Sequence, residues 1–318
     1  DAMPFSTTTG EKSRITLHDC SKCVLRKKPS QKPNPPVPLV SEPARPLLEP
    51  IRRVRVQESL FPPTERNFQA SVLFFNGTYW MVHRQSWANA KTCLSRLDEH
   101  FQPIWTRVLP LPSGLRFPLA ASAQEDARLF VWKNSLWVSW TAYTKLDLGE
   151  PRSVTTVVYS ELDFDGGVKK TVVPQWIARR DWEKNWTFFP WKNRLFAVYQ
   201  VAPEHVVLSI DDSRTELVGE TPLLFPENLG LQRGGASPFL HGGLFWHVTH
   251  GVYRHPEKDV WYNAGLYGFE AAPPFRPACY LPFPLITPHA DPPAYGISTN
   301  PRVVFPCGAF VRENRLFV

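Results

Sequence analysis

Glu125-Asp-Ala-Arg-Leu-Phe-Val-Trp-Lys-Asn-Ser-Leu-Trp-Val-Ser-Trp140 is the stretch of this chain that decides its fold. It begins with polar residues, continues with an apolar run, turns at Lys133-Asn134 and ends in an aromatic-rich run. Asn accepts the positive φ angles that two-residue hairpin turns require, and aromatic residues favour strands. The stretch therefore predicts a β-hairpin.

The same pattern occurs five times along the chain. The other four copies are 67–82, 184–199, 234–249 and 300–318, and their turns are Asn76-Gly77, Lys192-Asn193, Gly242-Gly243 and Glu313-Asn314. Strand-like stretches, such as 153–160 and 206–210, lie between the copies. A recurring unit of one hairpin and two further strands is typical of propeller blades. The prediction is an all-β fold, a five-bladed β-propeller over residues 67–318.

The fifth copy ends inside its second strand, so the last blade is predicted to be incomplete. We expect either that the chain is truncated or that strands upstream of the first copy close the ring. The only candidates for such strands are 52–56 and Leu60-Phe61.

Residues 1–66 have a different composition and are predicted to be a poorly ordered, disordered Pro-rich leader. They contain 11 of the 33 prolines and carry a net charge of +5 out of +7. Such a segment cannot bury a core. It is either a stem that holds a catalytic domain away from a membrane or a disordered terminus. Because the rest of the chain is nearly neutral, nucleic acid is not a predicted partner.

Composition excludes two further classes of protein. The 33 prolines argue against a mainly helical fold, and no apolar run approaches the roughly 18 residues of a membrane span. Cys20 and Cys23 have metal-ligand spacing but lack a second close pair, so neither a metal nor a cofactor is predicted. The leader favours the lumen of the secretory pathway or the extracellular space, and the cytoplasm stays possible.

The predicted architecture places one set of polar residues together. The first strand of each blade lines the central channel, and its exposed end contributes to a shared pocket. The residues at those strand ends and on the strands beside them are Gln69, Glu125, Asp126, Arg128, Lys184, Asn185, Arg84, Tyr143, Gln200 and His250. Aromatic platforms for sugar rings are expected from Trp87, Trp140, Trp186 and Tyr253. The residues predicted to bind the substrate are Gln69, Glu125, Arg128, Asn185, Trp186, Tyr143 and Tyr253. An acid beside cations suits glycosyl transfer, since the acid protonates the leaving oxygen while cations hold an anion.

Several motifs on these strands are similar to those of glycoside hydrolase family 130, and of the related five-bladed β-1,2-mannosyltransferases. Residues 67–318 contain them in the family's order. They are Glu125-Asp-Ala-Arg128, Glu183-Lys-Asn-Trp186 with Phe188-Phe-Pro190, Gly235-Ala-Ser-Pro238, Thr249-His-Gly251 and Val303-Val-Phe-Pro-Cys-Gly-Ala309. The resemblance implies that Asp126 is the proton donor. It also implies that Arg84, Lys184 and His250 hold phosphate or the donor.

The resemblance implies an enzyme that transfers glycosyl units, mannosyl above all, with inversion. The reaction would run between a β-mannoside, as an oligosaccharide or glycoconjugate, and phosphate or a nucleotide sugar. Ala127, His83 and Thr249 depart from the family's motifs, which puts substrate choice in doubt more than catalysis. An inverting hydrolase is the alternative, but it needs a base for water, and Glu183 is a poor candidate. A non-catalytic carbohydrate-binding propeller is the third possibility.

Each predicted site residue also has a structural interpretation. Asp126 and Arg128 could form a strand-end ion pair, Lys184 could be solvated, and Arg84 could cap its sheet. One of His247 and His250 is expected to be a packed, hydrogen-bonded core histidine, and His250 is the better functional candidate.

Overall fold

The computed structural model describes residues 24–25, 67–85, 91–110, 119–147, 151–176, 182–254, 260–288 and 303–318. Within these ranges the chain forms twenty β-strands and one 3-10 turn, Glu227–Leu229. No helix in the described part of the chain is long and apolar enough to cross a membrane.

Four antiparallel sheets follow one another along the chain, and each is a blade. Blade one contains β2 (Asn67–Phe75), β3 (Thr78–Gln85), β4 (Lys91–Leu97) and β5 (Pro103–Val108). Blade two contains β6 (Leu119–Trp132), β7 (Ser135–Asp147), β8 (Pro151–Leu162) and β9 (Val168–Val172). Blade three contains β10 (Thr187–Trp191), β11 (Arg194–Gln200), β12 (Glu204–Asp211) and β13 (Arg214–Pro222). Blade four contains β14 (Leu231–Gly234), β15 (Phe239–His241), β16 (Leu244–Arg254), β17 (Val260–Glu270) and β18 (Pro277–Tyr280).

All five predicted hairpin turns are confirmed. Both residues of each turn have positive φ, from 45° at Lys192 to 81° at Gly243. This is the conformation of the two-residue turn whose twist matches that of its strands. The inner hairpins share a further contact. The indoles of Trp80, Trp137 and Trp246 each donate to the carbonyl five residues earlier, across the turn, at 3.1–3.3 Å.

Apolar clusters fill the spaces between successive sheets. Trp80 of blade one and Trp140 of blade two belong to one cluster, and further clusters join blade two to three and blade three to four. These residues are buried because alternate side chains of each sheet face the next sheet. The core is therefore a ring of interfaces between blades.

The fifth copy of the repeat forms a two-stranded hairpin, β19 (Phe310–Arg312) and β20 (Arg315–Phe317). It lies between blade four and blade one. Leu316 packs against the cluster of blade four, while Phe310 packs against Tyr79 of blade one. The space there is tight, since a Cβ on Gly308 would lie 2.5 Å from the backbone nitrogen of Val72.

The propeller fold is thus confirmed, but five complete blades are not. The described residues form four blades, and neither β19 nor β20 pairs with a further described strand. The candidate closing strands at 52–56 and Leu60-Phe61 lie outside the described residues. So does the predicted leader, except for β1 (Val24–Leu25), which pairs with β18 at the outer edge of blade four.

Candidate active site

The site is built on one position of the repeat, seven residues before the hairpin turn. Gln69, Asp126 and Asn185 occupy this position in blades one to three, with φ of 56°, 56° and 63°. In blades one and two the strand pairing shifts at that point, which marks a β-bulge. A bulge re-aims a side chain, and Asp and Asn tolerate the left-handed conformation best among non-glycine residues. The sequence therefore places three polar side chains at equivalent positions of consecutive blades, where Gln69 contacts Asp126 and Asn185 contacts Arg128.

Asp126 is buried at the centre of this set. Gln69 Nε2 donates to Asp126 Oδ1 at 2.6 Å, a contact from blade one to blade two. Burial raises the pKa of Asp126, and the neighbouring Arg128 charge opposes this by lowering it. Charged groups resist transfer out of water, so a buried carboxyl keeps its proton to higher pH. Asp126 thus has the character of a general acid.

Glu125 lies between two cations from different blades. Its Oε1 is 3.1 Å from Arg84 Nη1 of blade one, and its Oε2 is 3.0 Å from Lys184 Nζ of blade three. The Arg84 side chain is 7% exposed, whereas that of Lys184 is 31% exposed. All three groups act electrostatically on Asp126. The structure therefore brings the predicted cations Arg84 and Lys184 close to Asp126, the predicted proton donor, and the carboxylate of Glu125 joins them.

Arg128 is fully buried and bonds to protein groups. It donates to the carbonyl of Asp126 at 2.7 Å, to Asn185 Oδ1 at 3.3 Å, and to the carbonyls of Gly234 at 3.3 Å and Gly235. An ion pair with the Asp126 side chain, the structural alternative to a functional role, is absent from the ion pairs of the described residues. Asn185, predicted to bind substrate, contacts Arg128 through its side chain.

His250 and His247 are both buried on β16, and they differ in their contacts. His247 hydrogen-bonds Thr187 Oγ1 at 3.2 Å and Tyr267 Oη at 3.0 Å, which confirms that one of the two is a packed core histidine. His250 packs against Phe305, with ring centroids 4.4 Å apart, and its Nδ1 has no hydrogen-bond partner among the described residues.

Burial lowers the pKa of His250 to about 3, with Arg128 contributing. His250 is therefore a neutral imidazole at pH 7. It can donate or accept a hydrogen bond, but it does not add positive charge to an anion site.

Trp186 and Trp140 are not sugar platforms, and those predictions are wrong. Both indoles are buried, at 3% and 1% exposure, in the clusters between blades. Trp186 Nε1 donates to Glu183 Oε2 at 2.9 Å, and Tyr199 Oη donates to Glu183 Oε1 at 3.2 Å. Glu183 is also buried, and both of its oxygens accept hydrogen bonds. It is thus poorly placed to act as a base for water.

The remaining predicted residues are not tested by the described contacts. Gln200 donates to Glu204 beside its own strand. Tyr143 and Tyr253 lie on β7 and β16, but their side chains and Trp87 are outside the described part of the structure. The roles predicted for them stay predictions.

Two features of the site were missed from the sequence. Phe305 contacts both His250 and the guanidinium of Arg128, the latter at 5.8 Å from its ring centroid. Gly234 allows its strand to approach blade three, because a Cβ there would lie 2.1 Å from the Asn185 carbonyl oxygen. Phe305 and Gly234 both lie eight positions before the hairpin turn of their own copy of the repeat, one position before the equivalents of Asp126, and this common spacing is a signal that could have aligned them.

The described residues contain no group of three or more metal-ligating side chains. The arrangement consists of a buried acid, two cations joined by a carboxylate, and a neutral histidine. It can donate a proton and hold an anion nearby, which is what glycosyl transfer to or from a phosphate group requires.

Comparison with solved structures supports the fold. No family model matches the chain, and no curated protein matches it. A protein of Parabacteroides distasonis proposed to be a glycoside hydrolase aligns with a TM-score of 0.58 and 13% identity, over 79% of this chain and 82% of that one.

Two further structures have a TM-score of 0.52. One is the mannose phosphorylase MPT-4 of Leishmania mexicana in complex with phosphate ion, 15% identical over 79% of this chain and 78% of that one. The other is described with the GH130 family of mannoside phosphorylases, which contains glycoside hydrolases that target β-1,2-mannosidic linkages in Candida mannan. It is 13% identical to this chain and aligns over 77% of this chain and 78% of that one. At these identities the likeness shows the fold alone, which is that of a β-propeller.

Proposed function

We propose that this chain is a carbohydrate-active enzyme that transfers glycosyl units, mannosyl above all, with inversion, between a β-mannoside and an anionic donor or acceptor. The observation that carries the proposal is the placement of Asp126. Its carboxyl group is buried, accepts a hydrogen bond from Gln69, and lies within the electrostatic reach of Arg84 and Lys184. Burial raises the pKa of this carboxyl, which favours the protonated form that the acid of an inverting reaction needs before it protonates the leaving oxygen.

Arg84 and Lys184 are the proposed anion-binding residues. They come from different blades and converge on Glu125 from opposite sides. An incoming phosphate offers several oxygens, so it can accept from both cations at once. MPT-4, which shares the fold, is a mannose phosphorylase described in complex with a phosphate ion, and this supports phosphate as the anion. A nucleotide sugar is the alternative donor, since its diphosphate has the same chemistry.

The contacts of Glu125 and Glu183, the other two carboxylates near Asp126 in sequence or in the site, favour phosphorolysis or transfer over hydrolysis. An inverting hydrolase needs a second carboxylate that is able to activate water. Glu125 is ion-paired with two cations, and Glu183 accepts hydrogen bonds from Trp186 and Tyr199. Hydrolysis is therefore the second candidate.

The β19–β20 hairpin belongs to the same proposal as the inner half of a fifth blade. Its turn has the same conformation as the other four, and it contacts blade four through β15 and blade one through β2. Phe305, just before the hairpin, contacts Arg128 and His250. In this interpretation all five blades contribute to the site.

The test is a donor and acceptor screen. Mannose 1-phosphate and nucleotide sugars are incubated with manno-oligosaccharides, and β-mannosides are incubated with and without inorganic phosphate. We expect phosphate-dependent cleavage, or transfer from one of the donors, with inverted configuration by NMR. Cleavage at the same rate without phosphate would instead establish the hydrolase. Absence of turnover with every donor would leave a sugar-binding propeller.

A further inference from the structure

Arg128 makes an unusual set of contacts for a residue of the candidate site. Its side chain is 2% exposed. Three of its acceptors are main-chain carbonyls, those of Asp126, Gly234 and Gly235, and the fourth is Asn185 Oδ1. Main-chain carbonyls cannot swing away to make room for a ligand, so these bonds are part of the folded architecture.

These acceptors come from different parts of the ring. Asp126 lies in blade two, Asn185 precedes the first strand of blade three, and Gly234 ends β14 of blade four. Phe305, from the segment before the hairpin, lies under the guanidinium. Arg128 is therefore the point at which four consecutive parts of the ring meet. The planar, five-donor guanidinium suits this, because a lysine has one nitrogen and cannot reach several divergent acceptors.

Arg128 also fixes the backbone at the proton donor. Its Nη1 binds the carbonyl of Asp126, the residue in the left-handed conformation at the bulge. That conformation determines where the Asp126 carboxyl points, since a regular strand would place it on another face. Gln69 holds one carboxyl oxygen from the other side. The acid is thus oriented by Gln69 through its carboxyl group and by Arg128 through its main-chain carbonyl.

We propose that Arg128 is a positioning residue for Asp126, and that it sets the orientation of the acid without contacting the sugar. This rests on the proposed function, in which Asp126 is the proton donor. It differs from the sequence prediction, in which Arg128 binds substrate directly. Arg128 also has an electrostatic effect, because its charge opposes the rise in the pKa of Asp126 that burial causes.

Two variants separate these effects. Arg128→Met removes the charge and every hydrogen bond but keeps an unbranched apolar side chain that replaces the aliphatic part of the arginine. Arg128→Lys keeps the charge but replaces the planar, five-donor guanidinium with a single nitrogen. The carboxyl group of Asp126 is titrated by carbon-13 NMR in protein labelled at the aspartate carboxyls, and its resonance is assigned by its loss in Asp126→Asn. Initial rates with a β-mannoside and phosphate give kcat and KM for each variant.

We expect Arg128→Met to titrate Asp126 at higher pH than wild type, and Arg128→Lys to remain near wild type. Both variants should lose at least tenfold in kcat, with the KM for the sugar within about threefold, because binding contacts are retained. The titration needs no substrate, so it tests the effect of Arg128 on Asp126 even if the enzyme turns over none of the glycosides.

Two results would overturn the proposal. One is a KM for the sugar that rises tenfold or more with the Asp126 titration unchanged, which would make Arg128 a substrate ligand. The other is a wild-type titration and wild-type kcat in folded Arg128→Met. Should Arg128→Met fail to fold by circular dichroism, Asn185→Gly decides, since it removes one acceptor and suits the positive φ. It should lower kcat at unchanged KM, and an unchanged kcat would again refute the positioning role.

Discussion

Asp126→Asn is the sharpest test of the proposed chemistry, because the structure predicts a large effect on rate and a small one on stability. Asn fits the left-handed backbone at φ 56° as well as Asp does. Its amide oxygen can accept the hydrogen bond that Gln69 Nε2 now gives to Oδ1. We therefore expect the free energy of unfolding to change by less than about 1 kcal/mol.

The effect on rate follows from the loss of the proton. General acid catalysis contributes about 10²–10⁴ in rate, which corresponds to about 3–5 kcal/mol in activation free energy. Phosphate-dependent cleavage of an unactivated β-mannobiose should fall by that factor. A nitrophenyl β-mannoside should be much less affected, because its leaving group needs no proton. In wild type, kcat/KM should also fall as pH rises through the pKa of Asp126, which burial places above its ordinary value.

Asp212→Asn is the matched control. Asp212 is exposed in the turn between β12 and β13, where it pairs with Lys170 at 2.5 Å. Surface pairs of this kind contribute little, so rate and stability should both stay near wild type. The reasoning is refuted if folded Asp126→Asn cleaves the unactivated substrate within a few-fold of wild type.

Three further predictions concern the rest of the structure. Lys184→Ala should weaken the dependence of the reaction rate on phosphate at least tenfold, while the KM for the sugar changes little. Lys133→Ala, in an exposed turn, is the control and should change neither quantity. An equal loss of affinity for the sugar in Lys184→Ala would make Lys184 a structural residue. Because the pKa of His250 is about 3 in the folded state and about 6.5 when unfolded, the unfolded state takes up the proton first, and stability falls as pH drops below 6.5. This histidine alone should contribute a loss of about 2 kcal/mol between pH 7 and 5 by urea unfolding, and a His250→Gln variant with an unchanged pH dependence would contradict it. The chain has two sequences that fit the N-glycosylation pattern, Asn76-Gly-Thr78 and Asn185-Trp-Thr187. Asn76 is exposed in a turn and should be modified in a eukaryotic secretory pathway, while Asn185, bound to Arg128, should stay unmodified. A glycan found on Asn185 by peptide mapping would mean that this segment faces outward.

The local structure could be predicted from the sequence because hairpin chemistry is local. Asn and Gly pairs specify a turn through their own backbone preferences, and all five turns lie where they were predicted. The number of blades could not be settled in this way. Outer strands depend on pairing partners that the local sequence does not specify, and β20 pairs with no described strand other than β19.

The charged residues predicted to converge do so, whereas Trp140 and Trp186 are buried between blades. Glu125, Arg84 and Lys184 converge because each lies near the same end of its blade. A Trp beside a motif gives no such guarantee. Trp186 is buried because its indole packs in the apolar cluster between blades two and three and its Nε1 donates a hydrogen bond to Glu183. The residue type alone does not predict this tertiary arrangement. The hydrogen bonds that join Arg128 to other blades likewise depend on main-chain carbonyls that lie far away in the sequence.

The contact between the hairpin and blade one has a consequence for how the domain unfolds. Arg312 donates to the hydroxyl of Tyr79, a residue 233 positions earlier, and its guanidinium lies over Phe74 at 4.5 Å. In a linear array of repeats each unit contacts only its neighbours, so the ends fray independently. Here the first and last copies are neighbours, and loosening either one exposes the apolar surface of the other. The ring should therefore unfold as one cooperative unit, and its folding rate should reflect the entropy lost in joining such distant segments.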